Sequence, residues 1–163
     1  MGDTAHRDAW GWGWSKHYID ITGRNDIRSA KASFDARNLY FYVRTQDALT
    51  KPTSGDWMTL YLDADNNAAT GWLGYDFRVR GTQLQKSVGT NWIKVADIKR
   101  VIGAREMELA VPQSALFANS GRPGAVDFKW TDNCENDHTW RDFTLHGDAA
   151  PNDRFNFRAK FPA

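Results

Sequence analysis

Apolar residues recur at every second position through one short stretch after another, and this alternation constrains the fold more than any other feature of the chain. Leu39, Phe41 and Val43 alternate with Tyr40, Tyr42 and Arg44, and Met58, Leu60 and Leu62 alternate with Trp57, Thr59 and Tyr61. Tyr75, Phe77 and Val79 then oppose Asp76, Arg78 and Arg80. Met107, Leu109 and Val111 repeat the pattern, as do Val126, Phe128 and Trp130, then Phe143 and Leu145, and finally Phe155, Phe157, Ala159 and Phe161. Successive side chains of a strand point to opposite faces, so each stretch reads as a strand with one buried face. Weaker strands are predicted through Ala30, Ala32 and Phe34 and over 83–88 and 92–98. Turn formers punctuate these runs at Asp35-Ala36-Arg37-Asn38, Thr53-Ser54-Gly55, Gly89-Thr90-Asn91, Gly103-Ala104, Gly121-Arg122-Pro123-Gly124 and Gly147-Asp148. The one predicted helix is a short turn over 112–117, opened by Pro112. The expected fold is therefore all-β: an antiparallel β-sandwich, with either a jelly-roll or an immunoglobulin-like arrangement of its two sheets. With 163 residues, no linker and no internal repeat, residues 1–163 read as a single domain.

A formal net charge of +1, with both signs spread along the chain, selects neither nucleic acid nor an acidic membrane surface. Cys134 is the single cysteine, so no intramolecular disulfide can form, and without an obvious partner base it reads as a bystander rather than a nucleophile. No apolar run reaches membrane-spanning length, and the N-terminus lacks the layout of a signal peptide. Met1-Gly2 reads as the start of a module taken from a larger secreted protein. The unusual item is aromatic content: eight tryptophans, five tyrosines and nine phenylalanines in an otherwise polar chain. Buried indole N–H groups need partners, so a core alone gives a poor account of so many tryptophans. Flat apolar rings in excess of a core's needs suit stacking on flat ligands, sugars above all.

Where the run ending in Leu62 gives out, the sequence continues Asp63-Ala64-Asp65-Asn66-Asn67-Ala68-Ala69-Thr70-Gly71-Trp72-Leu73-Gly74-Tyr75-Asp76. Asp63, Asp65 and Asn67 place hard oxygen donors at alternate positions, Thr70 and Gly71 add carbonyls, and Asp76 supplies a further carboxylate. Oxygen donors on a loop match the preference of calcium, whereas magnesium resists dehydration. The order resembles an EF-hand loop, but Ala68 stands where the sharp-turn glycine belongs, Gly74 where the bidentate glutamate belongs, and the flanks read as strands. A strand–loop–strand calcium site with a structural ion is the expectation; the alternative is a solvated Asn/Asp turn with no metal. Asp132 and Asn133 read chiefly as a turn, with completion of the calcium shell from another strand as the second possibility.

Trp10-Gly11-Trp12-Gly13-Trp14, if extended, projects three indoles from one face about 7 Å apart. That row reads equally as a sugar-binding face and as a core-packing strand. Trp72, Trp92 and Trp140, in or beside predicted loops, are further stacking platforms, while Trp57 and Trp130 belong to the core. Arg24 and Asn25 are candidate hydrogen-bonding partners for sugar hydroxyls, although with Asp26 they also read as a tight turn with an internal Arg–Asp pair. Catalytic constellations are thin. Glu106 and Glu108 alternate with core residues and read as a solvent face, His6, His17, His138 and His146 are scattered, and there is no nucleophile elbow or phosphate-cradling loop.

Phe34-Asp35-Ala36-Arg37-Asn38-Leu39-Tyr40-Phe41-Tyr42-Val43 resembles the D-x-x-N-L-Y strand opening of family 9 carbohydrate-binding modules and their DOMON-like relatives. Trp57–Asp65 resembles the strand of that superfamily that ends in an acidic pair. Thr70-Gly71-Trp72, Gly74-Tyr75-Asp76-Phe77, Gly23–Ile27, Asp127–Asn133 and Gly147–Pro151 are similar to modules at the ends of large bacterial carbohydrate-active enzymes. The resemblance covers the chain from about Gly23 onward and implies a β-sandwich, bound calcium and sugar recognition through exposed aromatics. Some DOMON-type domains hold haem between methionine and histidine, and Met58 and Met107 with His138 and His146 supply the ingredients, though inward methionine is ordinarily core filler. The expectation is a secreted, non-catalytic, calcium-stabilised module that binds polysaccharide or oligosaccharide and tethers a parent multidomain enzyme to it. A small glycoside hydrolase or lyase and a calcium-bound structural spacer are the alternatives.

Overall fold

The computed structural model describes residues 7–11, 16–20, 22–53, 56–118, 121–134, 143, 147–152 and 155–161. Its strands are almost all antiparallel neighbours, as the short alternating runs require. β1 (Arg7–Gly11) and β2 (Lys16–Asp20) form a separate hairpin. β3 (Ile27–Phe34), β4 (Asn38–Thr45), β9 (Lys99–Ile102) and β10 (Glu106–Pro112) make a four-stranded sheet in the order β3-β4-β10-β9. The second sheet holds seven strands: β5 (Thr59–Asp63), β6 (Phe77–Arg80), β7 (Gln83–Val88), β8 (Asn91–Asp97), β11 (Ala125–Asp132), β12 (Asp148–Ala150) and β13 (Phe157–Lys160). Its order is β12-β11-β5-β6-β7-β8, with β13 also paired to β11. The expected antiparallel β-sandwich is the fold. α1 (Gln113–Leu116), entered from Pro112, falls within the predicted helical turn.

The two sheets meet through the inward positions of the alternating runs. Leu39, Phe41 and Val43 of β4 and Met107, Leu109 and Val111 of β10 face Leu60, Leu62, Val79, Val126, Phe128 and Trp130 of the second sheet. Trp57 joins this core, as does Trp130, whose side chain is fully enclosed. Each such side chain withdrawn from water contributes about 1.5–3 kcal/mol. The outward positions behave differently on the two sheets. On the four-stranded sheet they meet solvent: Glu106 and Glu108 are exposed, and Glu106 Oε2 accepts a hydrogen bond from the Tyr42 hydroxyl at 2.7 Å. The β3–β4 turn closes as its sequence dictates, with Asp35 Oδ1 accepting from the backbone N–H groups of Arg37 and Asn38, both at 2.7 Å.

On the seven-stranded sheet much of the outer face is covered. Tyr61, outward on β5, stacks with Trp72 at 5.4 Å and touches Tyr75, Trp92 and Phe143. These rings form a second apolar cluster with Cys134 and Ala149, separate from the inter-sheet core. One expectation needs correction here. Gly147-Asp148 is not simply a turn, because Asp148 opens buried strand β12 and its Oδ2 accepts the Ile27 N–H at 2.5 Å. The strand expected through Phe143 and Leu145 lies mostly outside the described residues, and Phe143 itself belongs to the outer cluster.

Candidate functional site

The loop between β5 and β6 is organised around its own carboxylates. Asp65 Oδ1 accepts the Asn67 N–H at 2.9 Å, and the Thr70 hydroxyl donates toward Asp65 Oδ2 at 2.9 Å or the Asn67 carbonyl at 2.8 Å. Asp76 Oδ2 accepts the Ala64 N–H at 2.9 Å, tying the loop's exit to its entry. Asn67 turns its side-chain oxygen to the Ala69 N–H at 3.1 Å. The chain then reverses tightly: Trp72 and Tyr75 exchange backbone hydrogen bonds at 2.9 Å, with Leu73 at φ 54° and Gly74 at φ 90° between them. Gly71, at φ 67°, could not be another residue, because a Cβ there would lie 2.2 Å from the Tyr75 carbonyl oxygen.

This folding brings one oxygen each of Asp63, Asp65 and Asp76 within 4.8 Å of one another. No described ion pair involves any of the three. Burial, together with the neighbouring Asp76 and Asp65 carboxylates, pushes the Asp63 carboxyl up to about 6, despite N–H donation from Asn66 and Asn67. Burial, with the Asp65 charge, likewise raises Asp76, and the Ala64 N–H and, less, Lys86 offset this only in part. Like charges held close repel, most strongly where Asp63 is buried and Asp76 half-buried, and a cation among them would relieve that repulsion. The three carboxylates could hold a metal, and an all-oxygen set is of the kind hard divalent ions take. Asn67 and Thr70 also lie in the loop, where their side chains brace it through hydrogen bonds.

The loop separates two cavities. One, of about 520 Å³, opens beside Asp65, Asp76, Phe77, Lys86, Val95 and α1. The other, of about 350 Å³, is lined by Asp63, Ala68, Leu73, Gly74, Tyr75, Phe143 and Asn156. The aromatic cluster therefore begins where the carboxylates end.

The remaining candidates are dispersed. Trp10 is 70% exposed on the β1–β2 hairpin and stacks on the His17 ring at 4.7 Å. Trp12, Trp14 and Trp140 lie outside the described residues, as do His138 and His146. Trp72 is buried under its aromatic neighbours rather than presented by a loop. Trp92 is half-buried, with the Arg78 guanidinium 4.5 Å from its ring centre. Arg24 and Asn25 serve the fold. Arg24 Nε donates to Asp132 Oδ2 at 2.7 Å, and buried Asn25, at φ 53°, exchanges side-chain hydrogen bonds with Thr50. The expected internal Arg24–Asp26 pair is replaced by Arg24–Asp132 and Arg28–Asp26 pairs. Asp132 cannot complete the Asp63 site. β11 pairs Asp127 with Asp63, which leaves Asp132 five residues along the strand, about 16 Å away.

Sequence reasoning missed Tyr61, Tyr75, Arg78, Gln85 and Lys129, which line the covered outer face. Alternation places Tyr61, Arg78, Gln85 and Lys129 opposite the core but puts Tyr75 on the core face with Phe77 and Val79; the chain instead reverses at 72–75 before β6 begins, which packs Tyr75 into the outer cluster. Comparison with protein-family models, curated proteins and solved structures returned no match to this chain.

Proposed function

We propose that this domain is a non-catalytic carbohydrate-binding module stabilised by calcium in the Asp63–Asp76 loop. The observation that carries the reading is the adjacency of two features: convergent carboxylates on a tightly turned loop, and an aromatic-rich sheet face that begins at the same loop. Asp63, Asp65 and Asp76 would ligate the ion, with Asn67 and Thr70 holding the loop in shape around it. Calcium there would neutralise the repelling carboxylates and fix the 72–75 turn against Tyr61. Trp92 and Trp10, the described indoles with exposed ring area, would stack against the C–H faces of sugar rings, and nearby amides and guanidinium groups would bond the hydroxyls. Such contacts are individually weak. They suit a secreted module that keeps a parent multidomain enzyme near a polysaccharide by raising the effective concentration of its substrate. The reading needs neither nucleic acid nor a membrane as partner.

A second reading, a calcium-braced structural spacer, is favoured by Trp72, Arg24 and Asn25, three candidate binders that are occupied inside the fold. Calorimetric titration with plant, algal and bacterial polysaccharides, in calcium and again in chelator, separates the two. Saturable binding that weakens in chelator, with no new reducing or unsaturated ends released, supports the module. Calcium-dependent melting without glycan binding sinks it in favour of the spacer. Released ends would make the protein an enzyme.

A further inference from the structure

The outer face of the seven-stranded sheet carries two guanidinium groups side by side. Arg78 and Arg80 are outward neighbours on β6, two residues apart and therefore on one face. Arg78 is only 8% exposed; its Nε donates to Gln85 Oε1 at 2.7 Å and its guanidinium lies over Trp92. Among the described residues no carboxylate pairs with it, whereas Arg24, Arg28 and Arg158 each have an aspartate. Arg80 Nη2 reaches Asp56 at 3.1 Å, but its Nε is buried and has no partner. Asp56 thus serves Arg80, and Arg78 is left with the neutral Gln85 amide, the Tyr61 hydroxyl and the Trp92 ring. Burial first, and then the charge of Arg80, pull Arg78 down to about 10. Buried guanidinium groups are ordinarily paired, so this arrangement calls for an anion.

We propose that Arg78 and Arg80, beside Trp92, form a receptor for the carboxylate of an acidic sugar, so that the polysaccharide taken by this domain is a uronate polymer. The inference rests on the carbohydrate-binding reading and narrows it. A planar carboxylate matches the fork of a guanidinium through two parallel hydrogen bonds, and Arg80, with 23% of its side chain exposed, gives that ligand access. Gln83 and Gln85, joined by a 3.2 Å hydrogen bond, flank the pair with amides suited to ring hydroxyls. The half-buried Trp92 indole supplies apolar surface. General attraction to polyanions does not account for the preference, because the whole chain carries only +1.

The test is calorimetric titration of the full chain with an oligouronate and with the same oligomer after its carboxyls have been reduced to primary alcohols. The oligouronate is expected to bind about tenfold or more tightly, with an affinity that falls as salt is added. Arg80→Gln, shown by thermal melting to be folded, should abolish that preference and bring the oligouronate down to the affinity of the reduced oligomer. Arg80→Lys, which keeps charge but not the fork, should fall between. Equal binding of both oligomers leaves a sugar-binding module standing and overturns the carboxylate receptor. Preference that survives Arg80→Gln overturns this site, a sulfated neutral glycan bound in preference to the uronate overturns the carboxylate, and failure of both oligomers to bind overturns the inference together with the reading beneath it.

Discussion

The paired strands β5 and β11 carry acidic residues at both ends, and the two ends handle them in opposite ways. At one end Asp63, Asp65 and Asp76 converge, and no described residue forms an ion pair with them. At the other, Asp132 is wholly buried but meets Arg24 and accepts the Met58 N–H at 2.9 Å. Burial raises both Asp63 and Asp132, but at Asp132 the first opposing influences are the hydrogen bonds from Arg24 and Asn25, whereas Asp63 has only backbone N–H donors and two repelling carboxylates. The difference teaches how to tell a structural carboxylate from a ligating one. The first has its counter-ion supplied by the fold; the second, on the proposed reading, would take one from a bound ion.

The largest expected effect sharpens the structural end. Asp132→Ala removes the partner of Arg24 and of the Met58 N–H, and breaking a buried charge pair in this way costs about 3–5 kcal/mol. Urea unfolding should show a lower midpoint by the same margin in calcium and in chelator. A loss that depends on calcium would merge the two ends into one site and break the comparison.

The next effect belongs to the loop. Calcium at a hundredfold excess over its dissociation constant adds about 2.7 kcal/mol. For a domain of this size that raises the melting temperature by about 5–10 °C. Calorimetry with calcium, magnesium and chelator checks this, and indifference to all three would leave the carboxylates as a solvated turn.

How far these two ends were legible in the sequence differs for a physical reason. Alternation placed Leu39, Phe41 and Val43 and Leu60 and Leu62 in the core, and Asp35-Ala36-Arg37-Asn38 announced its turn, because those features depend on local backbone geometry. The clustering of Asp63, Asp65 and Asp76 was also readable, since a short loop must keep its residues together. The Arg24–Asp132 pair was not, because it spans 108 residues and joins the segment before β3, of one sheet, to the end of β11, of the other. Nor was the burial of Trp72 and Arg78, since a period of two states which face a residue takes and says nothing of what lies on that face.

A smaller effect tests the sign of the repulsion. In the folded protein the Asp63 carboxyl sits at about 6, above its ordinary value of 3.8, so the folded state binds the proton more tightly than the unfolded chain does. Metal-free stability should therefore fall as pH rises from about 4 to about 6 and then level off. Asp63→Asn should flatten that slope and stabilise the chelated protein at neutral pH, while abolishing most of the calcium response. Thermal melts across this pH range in chelator show whether the slope exists. A variant less stable than the parent in chelator would mean that Asp63 is a structural carboxylate like Asp132.

The smallest effect separates two ways in which Thr70 can serve the loop. Its hydroxyl donates within the loop, with Asp65 Oδ2 at 2.9 Å, while its carbonyl offers oxygen by a different route. Thr70→Val keeps the carbonyl and the side-chain shape but removes the hydroxyl. If Thr70 acts by orienting Asp65, calcium affinity should fall about tenfold, the lower end of what losing a partner of a metal ligand costs. The metal-free protein should lose about 1 kcal/mol or less, because the Asp65 hydrogen bond is exposed and water can replace it. Calcium titration of the variant reads the first number and chelated melts read the second. An unchanged calcium affinity would assign the role to the carbonyl. A large loss of stability in chelator would show that the loop holds its shape through side-chain hydrogen bonds alone, as the Arg24–Asp132 end does, and needs no ion.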